Sequence, residues 1–473
     1  MLNPARMQVA IENEVGAAAL THGVWFEAAL LPGGWAERVR LTLNGGIISS
    51  VEPETEPQEG DQRGSIAIPG LANLHSHAFQ RGMSGLAEAR GPGPDTFWTW
   101  REIMYRFLDR LSPEDMEAIA TQAYVEMLES GFTRVGEFHY VHHDCAGAPY
   151  EDIGELAARI CAAAGTAGMG LTLLPVFYAH ANFGGASPLD GQRRFITTLD
   201  QFARLLESAE HWVESLSGAN VGVAPHSLRA VTPLEIKEIV SLAGNRPIHI
   251  HAAEQTREVE DCIAATGRRP VEWLLEHAGL GPGWCVIHAT HMTPEETTSL
   301  AASGATAGLC PITEANLGDG VFPAAAFLAQ DGIFGIGTDS NVQIHAAAEL
   351  RALEYAQRLT LRGRNICAGA AGGSTGRNLF ATALAGGHRA LGVGTPGLAM
   401  GCAADIVELE GDYRSLTARE RGDSILDRWI FGGAAGEAVE RVWVRGKCVV
   451  NEGRHIERDR TAARFREALR RIL

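Results

Sequence analysis

A chain of 473 residues, 45% hydrophobic and 21% charged, has the length for one large core and a smaller appended layer. Its longest apolar runs are interrupted by glycine, charge or histidine and are too short to span a bilayer. The formal net charge of −17 disfavours nucleic acid and anionic membrane as partners, and any anionic substrate must then be met by locally concentrated cations. Those cations are arginines, because lysine occurs only at Lys237 and Lys447.

The first residues, MLNPARMQVAIENEVGAAALTHG, carry no basic run followed by an apolar segment, so a cytoplasmic protein without a signal peptide is expected. The segments VWFEAALL, ERVRLTLN and GIISSVEP then alternate as strands, before a turn-rich stretch over 56–64. From there short β-like runs recur, each followed by a helical pattern. They are 65–77, 133–138, 171–177, 221–225, 246–251, 284–288, 305–310 and 334–339. Eight strands in strict alternation with helices predict a (β/α)8 TIM barrel over 69–389. A doubly wound sheet competes, but it usually places a glycine-rich phosphate turn after its first strand, where this chain has His-Ser-His. The glycine-rich GAAGGSTG segment (369–376) matches no phosphate loop.

Strand-like alternation returns at 397–411 and 439–454, the latter with a tight turn at Arg445-Gly446. Residues 1–68 and 390–473 therefore predict a small β-sandwich domain built jointly by both termini. The closing TAARFREALRRIL has apolar residues at helical spacing and predicts an amphipathic docking helix. Eight scattered cysteines with no CxxC pair argue against a disulfide framework or a thiolate metal site.

Chemistry gathers at the predicted strand ends. His75 and His77 stand at i, i+2 and share one face of an extended chain, as do His249 and His251. Strand six ends at His288 and strand eight at Asp339. All these ends meet on the rim where barrel enzymes place their active sites. One HxH is a weak signal; imidazoles on strands one, five and six with a carboxylate on strand eight are a strong one. His75, His77, His251 and Asp339 are the candidate ligands of one divalent metal, with a position left for water. His249, one layer deeper, reads as core or as a support behind the ligands. Nitrogen and oxygen donors suit zinc, and iron or manganese as well. Two-metal barrels often bridge their ions through a carboxylated lysine at a strand end, and neither lysine here lies at one, so a single ion is expected.

A bound metal acidifies water, and Asp339 can accept the proton. Glu254, three residues past His251, reads either as a proton shuttle to a nitrogen leaving group or as an acid at a helix N-terminus. His288 reads either as a stabiliser of charge at the attacked centre or as a buried hydrogen-bonder. Together they predict hydrolysis at a planar carbon bearing nitrogen. Arg229, just past strand four, and Arg101, in the aromatic FWTWRE segment that could close as a lid, each read alone either as a surface salt bridge or as a carboxylate fork.

The segments LANLHSHAFQRGMSGLAE, FWTWRE, EFHYVHHD, HSLRAVTP, HIHAAEQ, HATH, TEANLGDG and GIGTDS together resemble the amidohydrolase superfamily and, within it, the N-formimidoyl-L-glutamate deiminase family. The resemblance covers nearly the whole chain. It implies zinc-dependent hydrolysis of N-formimidoyl-L-glutamate to N-formyl-L-glutamate and ammonia in histidine degradation, by a homodimer. By position it implies metal ligands at His75, His77, His251 and Asp339, proton handling by Glu254 and His288, and binding of the small acidic substrate by Gln80, Arg101, Tyr140, His226 and Arg229. The chain departs from many members at Asn341, where histidine commonly follows Asp-Ser. A deaminase of a purine, pterin or related ring would use the same metal apparatus, and a catalytically silent barrel scaffold is the alternative outside enzymes.

Overall fold

Pro69 and Gly70 divide the run that the sequence reads as one strand, 65–77, and the division separates the two layers of the molecule. In a computed structural model that describes residues 21–93, 95–411, 422–432 and 438–473, strand β1 (His22–Leu31) pairs with β2 (Gly34–Asn44), β2 with β3 (Ile47–Glu52), and β4 (Gln62–Pro69) lies parallel to β1. Proline lacks the donor to continue the ladder. The Gly70 N–H is spent on the Asp405 carbonyl at 3.0 Å, and the chain restarts as β5 (Leu71–Ser76) in the barrel. The N-terminal segment read for a leader lies almost wholly outside the described residues.

The barrel continues with β6 (Phe132–His139), β7 (Gly170–Phe177), the short β8 (Asn220–Val221) and β9 (Ala224–Pro225), β10 (Ile248–Ala252), β11 (Trp284–His288), β12 (Thr306–Leu309) and β13 (Ile333–Ile336). All pairings are parallel, and β13 returns to β5. The remaining gap is closed by parallel bridges from Val223 to Ile248 and from Ser227 to His251. Strands β5, β6 and β7 are buried along their whole length, as parallel strands covered on both faces must be. Helices cover the outside, and the Thr375–Ala390 helix packs against β13 so closely that a Cβ on Gly386 would lie 2.0 Å from the Phe334 carbonyl oxygen. Backbone cannot yield there as a flexible side chain could. Gly386→Ala is therefore expected to cost about 3 kcal/mol and lower the thermal midpoint; an unchanged midpoint would contradict this packing.

Both termini build the second layer, with β14 (Ile406–Leu409), β15 (Val439–Val444), β16 (Lys447–Asn451) and β17 (Arg454–His455) extending the sheet through the antiparallel β14–β4 pairing. Side-chain alternation sorts this sheet between two cores. Ile68, Val407 and Val442 face the barrel, whereas Ala67, Ile406 and Trp443 face a separate small core. Both far parts of the sheet meet at Ala404, whose N–H bonds the Gly46 carbonyl and whose carbonyl accepts from Gly446, so the sheet curls over its own core. The Arg445-Gly446 turn has φ of 48° and 76°, the left-handed pair that a two-residue hairpin requires. Of the 397–411 run only Ile406–Leu409 is strand, since Gly397 and Gly401 turn the preceding chain. The C-terminal helix Arg458–Ile472 docks on the barrel helix Pro113–Glu129, joined by Arg471–Asp115 and Arg464–Glu117 ion pairs. No helix among the described residues is long and apolar enough to cross a membrane.

Candidate active site

The strand-eight aspartate reaches the site through the backbone of strand one. Asp339 lies three residues beyond β13, where its N–H bonds the His75 carbonyl and its own carbonyl accepts from the His77 N–H, each at 2.9 Å. Asn341 fastens the same loop. Its Nδ2 donates to Ser76 Oγ, the His77 carbonyl and the Asp339 carbonyl, and its Oδ1 accepts from Thr338. The departure from the family pattern at this position is thus filled by a buried side chain that braces the loop.

Four donor side chains converge. His75 Nε2 lies 3.1 Å from His251 Nε2 and 3.4 Å from Asp339 Oδ1, and His77 Nε2 lies 3.2 Å from the same Oδ1. All four residues are buried. His77 donates Nδ1–H to the Phe138 carbonyl at 3.0 Å, and His251 donates Nδ1–H to the His226 carbonyl at 2.9 Å. These bonds fix the tautomer, so each ring presents an unprotonated Nε2 inward. Burial keeps the His75 ring neutral down to about 3 and holds His77 and His251 below the ordinary imidazole range, assisted at His251 by the neighbouring imidazoles. Burial opposes the charge on Asp339, but the His75 hydrogen bond and the surrounding imidazoles outweigh it and keep the carboxyl far below its usual range. Three buried imidazoles and one carboxylate, their inward atoms within 3.4 Å of one another along the His251–His75–Asp339–His77 chain, are a donor set suited to a divalent cation. His249 lies outside this cluster and spends Nε2 on the Ala390 carbonyl at 2.7 Å.

Beyond β10 the chain turns sharply at Ala253, with φ of 53°. Glu258 receives the Ala253 and Glu254 N–H groups; it is this residue, on the following Thr256–Thr266 helix, that meets the backbone donors there. Glu254 precedes that helix, and its carboxyl lies 3.7 Å from His288 Nε2. Burial pushes it up to about 7 against the pull of His288 and Arg229. Burial disfavours a charged His288 ring, but Glu254, Glu314 and Asp339 surround it and raise it to about 10. Its Nε2 is 3.9 Å from Asp339 Oδ2, and its Nδ1 is 3.3 Å from Glu314 Oε1.

One pocket joins this cluster to the expected substrate residues: Gln80, Arg101, Tyr140, His226, Arg229, Glu254 and His288 all line it, beside His77, His251 and Asp339. Gln80 donates to the Tyr140 hydroxyl at 2.8 Å. His226 meets Tyr178 edge-on and lies tilted against His251, and its Nδ1 meets the Ser227 hydroxyl at 3.1 Å. Arg229 is buried, and the Nε groups of both Arg229 and Arg101 lack a hydrogen-bond partner. The FWTWRE segment is the start of a helix, Phe97–Leu108, whose Trp98 carries the Arg101 guanidinium at 4.6 Å and the Arg229 guanidinium at 5.8 Å from its ring centre. Sequence reasoning assigned no role to Trp98, Tyr178 or Glu314. Trp98 and Glu314 lie within quoted motifs, whereas nothing in the sequence marks Tyr178, which lines the pocket and accepts from Gln192 at 2.8 Å.

The model of the amidohydrolase family matches residues 66–449, and that of the formimidoylglutamate deiminase HutF N-terminal domain matches residues 21–65. A formimidoylglutamate deiminase of Pseudomonas aeruginosa is 48% identical over 452 residues, 95% of this chain and 99% of its own length. A 5-methylthioadenosine/S-adenosylhomocysteine deaminase of Natronomonas pharaonis is 29% identical over 76% of each chain. Among solved structures, an amidohydrolase from Brucella melitensis superposes with a TM-score of 0.92 at 56% identity, covering 95% of this chain and 99% of the other. A zinc-bound adenosine deaminase from Xanthomonas campestris shares the fold alone, with a TM-score of 0.79 at 21% identity over 95% and 98% of the two chains. With its parallel barrel, its rim of converging imidazoles and these relatives, the chain belongs to the amidohydrolase family and groups within it with the formimidoylglutamate deiminases.

Proposed function

We propose that the chain is a metal-dependent deiminase that hydrolyses N-formimidoyl-L-glutamate to N-formyl-L-glutamate and ammonia. The observation that carries the substrate is the arginine pair: two guanidiniums with unpaired Nε donors, one of them wholly buried, face a pocket whose other end is the four-donor cluster. A buried guanidinium with an unmade hydrogen bond is costly, and a bound carboxylate supplies the missing acceptor. Purine and pterin rings carry no such anion, and a silent scaffold has no use for the aligned proton-handling groups.

His75, His77, His251 and Asp339 would hold the ion. The donor set favours zinc, with iron or manganese as the other fits. The ion supplies Lewis acidity that brings the pKa of water towards neutrality. Asp339 takes the proton of the attacking water, whose oxygen bonds to the formimidoyl carbon. Glu254, which burial equips to hold a proton near neutrality, delivers one to the departing nitrogen as the C–N bond breaks. His288 donates from Nε2 to the oxygen at the attacked carbon. Arg101 and Arg229 bind one carboxylate of the glutamate moiety. Gln80, Tyr140 and His226 bind the other, His226 offering Nε2–H when Ser227 donates to its Nδ1. The resemblance further supports a homodimer working in the cytoplasm on histidine breakdown.

Arg229→Ala and Arg101→Ala are each expected to raise KM for N-formimidoyl-L-glutamate by roughly tenfold or more, the loss of a charge-assisted hydrogen bond, with a smaller effect on kcat. Steady-state ammonia release measures both, and an unchanged KM in the two variants would remove the dicarboxylate reading.

A further inference from the structure

The TEANLGDG segment leads to a residue that the proposed chemistry does not yet use. It forms the short helix Pro311–Leu317 and the turn after it, between β12 and the strand-eight loop. Glu314 on this helix is buried and fixed from several directions. Its N–H bonds the Cys310 carbonyl at 2.9 Å, its carbonyl accepts from the Asp319 N–H at 2.9 Å, and its Oε1 accepts from the Cys310 N–H at 2.9 Å. That same Oε1 lies 3.3 Å from His288 Nδ1.

His288 needs such a partner. Its backbone is left-handed, with φ of 67°, and Ala289 follows at 48°. Side chains with a Cβ seldom adopt this region, and strain of this kind persists only where the surroundings over-determine it. The ring itself stands between carboxylates: Glu254 at 3.7 Å and Asp339 at 3.9 Å both address Nε2, whereas Glu314 addresses Nδ1. A carboxylate accepting Nδ1–H fixes the orientation of the charged ring and leaves its Nε2–H aimed at the reacting groups. This is the logic by which the third member of a catalytic triad orients its histidine.

We propose that Glu314 is the positioning residue for His288: it pins Nδ1–H, and thereby aims Nε2 at Glu254, Asp339 and the attacked carbon. The assignment rests on the reading of His288 given above. Partners of this kind typically contribute roughly 10- to 100-fold. Glu314 does not enter the pocket lining, so its loss acts on kcat rather than on substrate capture.

The test uses the metal-replete full chain with Glu314→Ala and Glu314→Gln. Glu314→Ala is expected to lower kcat by roughly 100-fold, with KM and metal content within twofold of the parent. Glu314→Gln keeps an acceptor for the Cys310 and His288 donors, and it is expected to recover about a tenth to a third of the parent kcat. In a His288→Asn background Glu314→Ala is expected to add at most about twofold, because the two side chains act as one unit. A further 100-fold loss there, or an unchanged kcat in Glu314→Ala, would overturn the proposal. Crystals decide independently of any substrate: the His288 ring is expected to turn from its place in Glu314→Ala while His75, His77, His251 and Asp339 stay, and an unmoved ring overturns the assignment. Ammonia release by the parent protein tests the functional reading separately. Should Glu314→Ala not fold, Glu314→Gln decides alone: a kcat of about a tenth to a third of the parent's with KM unchanged supports the assignment, and the parent's kcat contradicts it.

Discussion

Glu254→Gln is expected to reduce ammonia release by about 10³-fold in a protein that remains folded and retains its metal. Glutamine has the same shape and size, and Glu254 is not among the four converging donors, so neither packing nor the ion-binding set changes. What is lost is the ability to carry a proton. The nitrogen that departs must be protonated as its bond to carbon breaks, and Glu254 is the carboxyl whose acidity burial has moved to about 7, close to the pH at which a shuttle both takes up and releases a proton. The expected signature is a fall in kcat with KM little changed, since the arginines still hold the substrate. A variant with parental kcat would assign the proton traffic elsewhere.

Asp339→Asn is expected to cost more. The carboxylate serves twice in the proposed chemistry, as an ion ligand and as the base for water. Asparagine keeps an oxygen near His75 and His77 but removes the charge that opposes a divalent ion. The expected result is metal content well below one equivalent per chain after metal-replete purification, and activity lower by about 10⁴-fold, the upper end of general-base losses. Metal analysis separates the two roles: a variant that retains a full equivalent but is inactive would leave Asp339 as base alone.

How much of this was legible in the sequence follows from the range over which each feature is determined. The HxH pair on strand one is local, because i, i+2 residues share a face wherever a strand forms. His251 and His288 could be placed by counting strands, since a parallel barrel brings all strand ends to one rim. Depth along a strand separated His251 from His249, and the structure gives His249 a backbone carbonyl as partner. The break at Pro69-Gly70 was harder. The apolar run continues straight through it, and only the pairing of β4 with β1 and β14 shows that its first half belongs to the other layer.

Residues whose roles depend on three-dimensional neighbours were not legible. Trp98 reads as one aromatic among several in FWTWRE, and only the fold sets the guanidiniums of Arg101, Arg229 and Arg257 around its ring. Glu314 lies 26 positions from His288, and no spacing rule links a residue after strand seven to one at the end of strand six. Tyr178 likewise enters the pocket from the end of β7 with no pattern to announce it. The eight cysteines, by contrast, were readable from composition: none is paired.

The central claim is that a four-donor metal site and an arginine pair together select and hydrolyse a formimidoylated dicarboxylate. Its most direct test is ammonia release by the purified, metal-replete protein from N-formimidoyl-L-glutamate, with adenosine and a pterin measured in parallel. The predicted result is one ammonia and one N-formyl-L-glutamate per substrate consumed, lost on chelation and restored by a divalent ion, with no turnover of the rings. Ammonia released from a ring while N-formimidoyl-L-glutamate stays intact would contradict the account.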